Sequence, residues 1–371
     1  MFNMDSKISY LLSFIRFPLI LGIVFLHTCP ISDTYISWNN FESIDIYKFV
    51  CLLGSKLLCS VCVPTFFFIS GYLFFINVKE FNINNYFTKL SRRLRSLVLP
   101  YFIWNIIPIV ILIAKILISN SSFTSIIALD WYHFFWDFKA DKDFVNILGW
   151  PIKCAYPINA PLWFLRDLII VVCISPLIYF IIKQLKLLGL FLLGVVFFFS
   201  IWPHTVFLMS GICLFFFSFG AFFSIHKKSF ISTSILSFSL PLCLIPLFFL
   251  IVEGNNFSLE VRQLFINFYR IFGLLSLLNL TYMLIAKRVD NKFVLHYTSS
   301  VFFIYASHTI YISGVVSQIF MPLMLPGNNI VILIIRYLLS PVIIVSICMF
   351  IYFLLKKIAP CVLSFLCGGR V

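Results

Sequence analysis

Residues 9–28 read SYLLSFIRFPLILGIVFLHT, in which Arg16 and His27 are the only ionisable side chains apart from the phenol of Tyr10. A helix of twenty residues rises about 30 Å, which matches the hydrocarbon core of a bilayer. Nine further apolar runs follow at about residues 49–76, 97–118, 162–182, 187–202, 206–225, 235–252, 264–286, 299–320 and 330–355. The 371 residues are 62% hydrophobic and only 11% charged, with a mean hydropathy of +1.06. A soluble domain carries about a quarter charged residues, so this composition excludes a soluble enzyme, a disordered chain and a collagen-like fibre. Only helices or closed barrels satisfy backbone groups in lipid, and these runs are too long and too apolar for barrel strands. The expected fold class is all-α: a polytopic integral membrane protein of about ten transmembrane helices, forming one domain over residues 1–371.

The net charge of +14 would suggest nucleic acid in a soluble protein. In a membrane protein the same excess orients the helices, because Lys and Arg are retained on the cytoplasmic side. With a cytoplasmic amino terminus, sixteen of the 27 Lys and Arg fall in inner segments and five in outer ones, while nine of the 13 acidic residues lie outside. Both termini are therefore expected in the cytoplasm, and no nucleic-acid partner is expected. The first run lacks a small-residue cleavage site and carries Arg16, so it reads as a retained helix and not a removed signal peptide.

The eleven Cys are scattered through apolar runs with no clustering in loops, which reads as small lipid- or core-facing residues. Cys59 and Cys62 form a C-x-x-C inside a hydrophobic run, read as a chance spacing. Residues 119–160 make the one long stretch between runs, rich in Trp, Tyr, Phe and Asp. There Asp130, His133 and Asp137 could share a helix face and hold a metal. The preferred reading is an interfacial aromatic helix, and no metal site is assigned.

Ionisable side chains inside a span cost on the order of 2.5 to 3.5 kcal/mol even on the lenient insertion scale, which makes them functional candidates. Arg16 and His27 stand eleven residues apart, about three turns and about 16.5 Å of rise on one helix face. His exchanges a proton near neutral pH, and Arg offers a fixed fork of donors to a carboxylate, a phosphate or an oxyanion. The pair suits acyl or proton transfer, and would equally serve a proton-coupled transporter. The basic run Lys89-Leu-Ser-Arg92-Arg93-Leu-Arg95 leads into Leu99-Pro100-Tyr101, either as a positive-inside anchor or as a phosphate site. Pro161-Leu-Trp163-Phe-Leu-Arg166-Asp167 opens the fourth run. Its aromatic ring could cover one face of a sugar or sit in an interfacial belt. Glu253, Arg270 and Arg336 lie in the outer halves of late runs, and with Arg166 and Asp167 they suggest a polar outer cavity.

The segment Arg16-Phe-Pro-Leu-Ile-Leu-Gly-Ile-Val-Phe-Leu-His27 is an R-x10-H motif on a first transmembrane helix and resembles the hallmark of the family 3 membrane acyltransferases. Pro64-Thr-Phe-Phe-Phe-Ile-Ser-Gly71-Tyr-Leu resembles their second-helix signature. Arg92-Arg93-Leu-Arg95 before Leu99-Pro100-Tyr101 resembles the third-helix entry. Pro161-Leu-Trp163-Phe-Leu and Phe302-Phe-Ile-Tyr305-Ala-Ser-His308 match later motifs in order, so the resemblance covers nearly the whole chain.

The resemblance implies an acyltransferase for groups other than aminoacyl groups, an O-acetyltransferase by preference. It would carry acetyl from cytoplasmic acetyl-CoA to a hydroxyl of a cell-envelope glycan or lipid-linked saccharide, in a bacterial cytoplasmic membrane. His27 would be the catalytic residue and Arg16 its partner. Arg92, Arg93 and Arg95 would contact the donor, and Trp163, Arg166, Asp167, Arg270 and His308 are candidates for the acceptor site. Acetyl-CoA enters as a co-substrate and no cofactor is held permanently; the partners are membrane lipid, the acyl-CoA and the saccharide. The chain resembles the short, stand-alone members without an appended hydrolase domain. The rival readings are a transporter or glycan exporter gated by Arg16 and His27, and a structural subunit of an envelope assembly complex.

Overall fold

The computed structural model describes residues 4–31, 36, 38–76, 82–119, 130–140, 145–147, 150–152, 155–201, 209–286 and 296–370. Lys79, Lys142, Lys153, Lys287, Arg288 and Lys292, which contribute to the charge asymmetry, lie outside them, as does the turn at Trp202, Pro203 and His204. Among the described residues the long elements are helical, and eight helical stretches are long and apolar enough to cross a membrane.

The first stretch joins α1 (Met4–Phe14) to α2 (Arg16–Thr28) through Ile15. The second begins at Ser43, six residues before the apolar run, because Glu42 and Asp45 form a capping box that starts α3 (Ser43–Cys51) in polar sequence. A π-type turn at Leu52–Leu57 and a tighter turn at Leu58–Val61 then lead into α4 (Cys62–Phe75). The third stretch, α5 (Ile83–Ser119), starts fourteen residues before the apolar run. The basic run is thus part of the helix itself.

The fourth and fifth runs are joined more closely than their hydropathy suggests. Helix α6 (Tyr132–Trp136) precedes them, α7 (Trp163–Cys173) breaks at Ile174, and α8 continues over Ser175–Phe198. Within α8, Lys186 adopts φ 50° and ψ −123°, a left-handed conformation no helix interior contains. Helix α9 (Gly211–Ile225) shows that the chain reverses there. Its entry residue Ser210 donates its N–H to Asp167 (2.7 Å), and His226 at its exit lies 3.0 Å from the Ile182 carbonyl. Phe197, eleven residues past Lys186, is back beside Phe215 with ring centroids 5.1 Å apart. Splitting α8 at Lys186 and adding α9 gives ten apolar segments, matching the ten hydropathy runs. The two segments flanking the 199–210 connection are short for a roughly 30 Å core, and α9 is buried on nearly every side.

The remaining spans are α10 (Thr233–Val252), α11 (Leu259–Ala286), the stretch His296–Met324 that contains α12 (Val301–Ser307) and two π-type turns, and α13 (Ile330–Ile358). A final helix, α14 (Pro360–Leu366), folds back along α5. The first helix and the chain end meet at one end of the bundle, where Ser13 accepts from Thr298 and Ser96 accepts from Arg370.

Helices α4 and α9 approach so closely that a Cβ on Gly71 would overlap the Phe217 carbonyl, and one on Gly220 the Phe68 carbonyl. Overpacking such a contact costs about 1–3 kcal/mol or more. Gly220→Val is expected to lower the yield of monodisperse protein in detergent, whereas Gly314→Ala, with open space around it, is expected to leave it unchanged.

Opposite the basic end, the described residues between 130 and 162 form a strap. Strand β1 (Lys139–Ala140) pairs with β4 (Ala155–Tyr156), and β2 (Val145–Ile147) with β3 (Trp150–Ile152), all antiparallel. The strap dips to the midpoint of α5: Tyr101 donates to the Phe135 carbonyl, and the Asn159 amide donates to Trp104 (3.1 Å) and Ala306 (3.0 Å) carbonyls. His133 lies 2.6 Å from Asp137 on α6, and among the described residues no group of three His, Cys, Asp or Glu could hold a metal.

Candidate active site

A cavity of about 520 Å³ runs inside the bundle between the basic end and the strap. One wall is α2, which places Arg16 and His27 along its length. Residues Ile20, Ile23, Phe66, Ile69, Leu73 and Leu97 make the middle apolar. A charge in that middle section would lose its hydration without a partner. Chemistry is therefore confined to the two ends.

At the basic end stand three guanidinium groups, Arg16, Arg93 and Arg370, with the hydroxyls of Ser13, Thr298 and Ser299. No carboxylate among the described residues lines the cavity. Burial and the neighbouring charges of Arg93 and Arg16 push the Arg370 guanidinium down to about 10, so it stays protonated at neutral pH. Three like charges with no counter-ion make an anion site by elementary electrostatics.

At the strap end the His27 ring is open to the cavity, and its centroid is 5.2 Å from that of His308. His308 is wholly buried, and its Nδ1 lies 3.0 Å from the Ile304 carbonyl and 2.9 Å from that of Tyr305. Two carbonyl partners require Nδ1–H, leaving Nε2 as a bare acceptor. That Nε2 has no hydrogen-bond partner among the described residues. The π-type turn His308–Ile312 follows at once, the kind of helix irregularity often found at functional sites. Trp163 and Pro161 line the cavity at the strap, and Tyr305 donates to the Pro161 carbonyl (2.5 Å), locking the strap to α12.

The basic run divides. Arg93 lines the cavity, while Arg92 and Arg95 are exposed and Arg95 lies along a shallow groove on the outward face of α5. Lys89 donates to the Phe74 carbonyl (2.6 Å) and ties α5 to the end of α4.

Arg166 and Asp167 are buried but do not line the cavity. The guanidinium bonds the carboxylate at 3.1 and 3.2 Å and the Trp136 carbonyl at 2.8 Å, while Asp167 also accepts from Ser210. The pair joins the strap, α7 and the start of α9. Arg270 also lies away from the cavity and donates to Asn267 (3.2 Å). Glu253 accepts from Asn256 (2.8 Å) and Arg336 donates to the Leu325 carbonyl. The five groups expected to form an outer polar cavity are thus dispersed, each engaged with its own neighbours.

Sequence reasoning passed over Arg370 as an element of the site. The local signal was Gly368-Gly369 before an Arg, a turn followed by a charge.

A family model described as an acyltransferase domain matches residues 10–359, and the ordered motifs from Arg16 to His308 fall inside it. The chain belongs to the family 3 membrane acyltransferases. The eight helical stretches of membrane-crossing length among the described residues agree with a family of integral membrane proteins. The chain is also 28% identical over 235 residues to the succinoglycan biosynthesis protein ExoH of Rhizobium meliloti (strain 1021), a match covering 60% of this chain and 56% of that relative. The match thus spans little more than half the length of the curated relative. No solved structure matches the chain.

Proposed function

We propose that this acyltransferase moves an acyl group, by preference acetyl, from cytoplasmic acyl-CoA to a hydroxyl of a cell-envelope glycan or lipid-linked saccharide. The observation that carries the proposal is the distance between the two ends of the cavity. Arg16 and His27 are eleven residues apart on one helix, about 16.5 Å of rise. The pantetheine arm of CoA has about thirteen chain atoms from phosphate oxygen to sulfur, the length of about four residues of extended backbone and so roughly 15 Å. With its phosphates at the arginines, the thioester of CoA reaches the imidazole.

The reaction follows from the groups present. The neutral His27 imidazole takes the proton of the acceptor hydroxyl as that oxygen attacks the thioester carbonyl. The tetrahedral intermediate collapses to the ester, the C–S bond breaks, and the imidazolium returns its proton to the departing CoA thiolate. A path through an acetylated His27 has the same overall balance. His308 sits beside the base with a lone pair on Nε2 and steadies the imidazolium while it exists. Trp163 offers an apolar face at the strap end, where the acceptor enters. The succinoglycan connection of the relative in R. meliloti supports a saccharide acceptor.

The donor reading places the basic end in the cytoplasm of a bacterial inner membrane, with both termini there. Reporter fusions after Lys228 and Lys292 are then expected to read cytoplasmic and one after Asp143 external; reversal at any two overturns this orientation. Arg93→Lys keeps the positive-inside charge but loses the fork geometry, and it is expected to raise the acetyl-CoA KM severalfold while insertion is unchanged. Arg92→Lys and Arg95→Lys, outside the cavity, are expected to leave KM near wild type. An unchanged KM for Lys at all three positions would mean that the run is only a positive-inside anchor. The proposal as a whole is tested by incubating the purified protein with labelled acetyl-CoA and candidate glycans, where covalent label on the glycan is expected.

A further inference from the structure

We infer that the carboxy-terminal arm is part of the substrate site: Arg370 completes, with Arg16 and Arg93, a three-arginine site for the diphosphate group of the acyl donor. The inference rests on the donor reading above, and adds to it a residue from the far end of the chain.

The arm is built to place this side chain. Leu363 and Cys367 are fully buried, and Trp104 donates its indole N–H to the Leu366 carbonyl (2.9 Å). Gly368 and Gly369 then take φ of +62° and +78°, conformations that L side chains rarely adopt. A Cβ on Gly368 would also lie 2.7 Å from the Ser96 carbonyl oxygen and 2.8 Å from Pro100, so glycine alone lets the arm press onto α5 and turn back. The turn delivers Arg370 to the cavity. There its Nη2 donates to the Ser96 carbonyl (2.9 Å) and its guanidinium lies 4.5 Å from the Phe302 ring centroid.

The bond to Ser96 uses one of the five N–H donors a guanidinium carries. The Phe302 ring fixes its plane, and a fixed planar fork suits phosphate oxygens. Buried charges are normally paired, yet the cavity gathers three cations and, among the described residues, no carboxylate. A partner with several negative charges is the group this end lacks. Both the donor's diphosphate and an anionic lipid headgroup have that chemistry; the position at the mouth of a corridor leading to His27 favours the donor.

The test measures binding of CoA and of inorganic pyrophosphate to the full-length protein in phosphatidylcholine nanodiscs. Arg370→Gln keeps an N–H donor for Ser96 while removing the charge, and Arg370→Lys keeps the charge while removing the fork. Arg370→Gln is expected to raise both dissociation constants about tenfold or more, with Arg370→Lys intermediate. It is also expected to flatten the salt dependence of binding. Lys357→Ala removes a positive charge at an exposed position and controls for net charge. Unchanged pyrophosphate and CoA binding in a folded Arg370→Gln protein overturns the inference. Pyrophosphate binding that depends on Arg370, in a wild-type protein that does not bind CoA, sustains the three-arginine site and overturns the acyl-CoA reading instead. Loss of pyrophosphate binding when phosphatidylglycerol is included in the nanodiscs overturns the assignment to the donor in favour of a lipid headgroup.

Discussion

His27→Ala is expected to abolish acyl transfer while leaving acetyl-CoA binding within a factor of about three of wild type. A general base contributes about 10²- to 10⁴-fold in rate, and without it the acceptor hydroxyl must attack while still protonated. Donor affinity resides at the other end of the cavity, in Arg16, Arg93 and Arg370, so it should survive the substitution. Arg16→Ala is expected to give the opposite pattern, weakening donor binding first. Initial rates with labelled acetyl-CoA, paired with equilibrium binding of CoA, separate the two. A His27→Ala enzyme working at near wild-type rate would remove His27 as the base. His308, with its bare Nε2 5.2 Å away between ring centroids, would then take its place.

Asp167→Ala is expected to be the most damaging substitution for folding outside the cavity. Asp167 has no exposed surface and Arg166 is 8% exposed, so removing the carboxylate strands a guanidinium in a low-dielectric interior. Breaking one side of a buried pair costs about 3–5 kcal/mol. The strap loses an anchor too, because Arg166 also holds the Trp136 carbonyl. Replacing both residues by Leu is expected to recover part of the loss, since no charge is left unpaired. Thermal denaturation followed by size-exclusion chromatography checks this, and an Asp167→Ala protein as stable as wild type would show that the pair does not hold the strap. Ser210→Ala keeps the backbone N–H bond to Asp167 but removes the hydroxyl that caps α9 through Cys213, and is expected to cost less, about 1 kcal/mol.

The spans were legible because each is a long apolar run bounded by charge or turn residues, and a bilayer demands that pattern. The starts of α3 and α5 were not. Residues 43–48 and 83–96 are polar enough to lie outside the hydrocarbon, and helices are free to extend into that zone once capped. The reversal at Lys186 falls in the gap between two apolar runs, so hydropathy located the turn although the helix continues on both sides of it.

The alignment of Arg16 with His27 followed from helical periodicity, which depends only on local sequence. Arg93 differs from Arg92 and Arg95 through the angle each takes around α5 relative to α2, a tertiary fact that three adjacent basic residues do not encode. Arg370 was least legible. Its partners Arg16, Arg93, Ser96 and Phe302 are spread over the chain, and only the folded arm brings them to one place. Arg166 and Asp167 stand out in the sequence as charges in an apolar run, read there as part of an outer polar cavity, but their role as a joint between strap and bundle depends on Trp136 and Ser210.

The most direct test of the whole account is the fate of the acyl group. Purified wild-type protein, supplied with acetyl-CoA labelled in the acetyl carbon and with envelope polysaccharide as acceptor, is expected to deposit label covalently on the polysaccharide. Mild alkali should release that label as acetate, as an O-ester requires, and His27→Ala should prevent its appearance. Label that stays on CoA or emerges only as free acetate, with none on any saccharide tested, would contradict it.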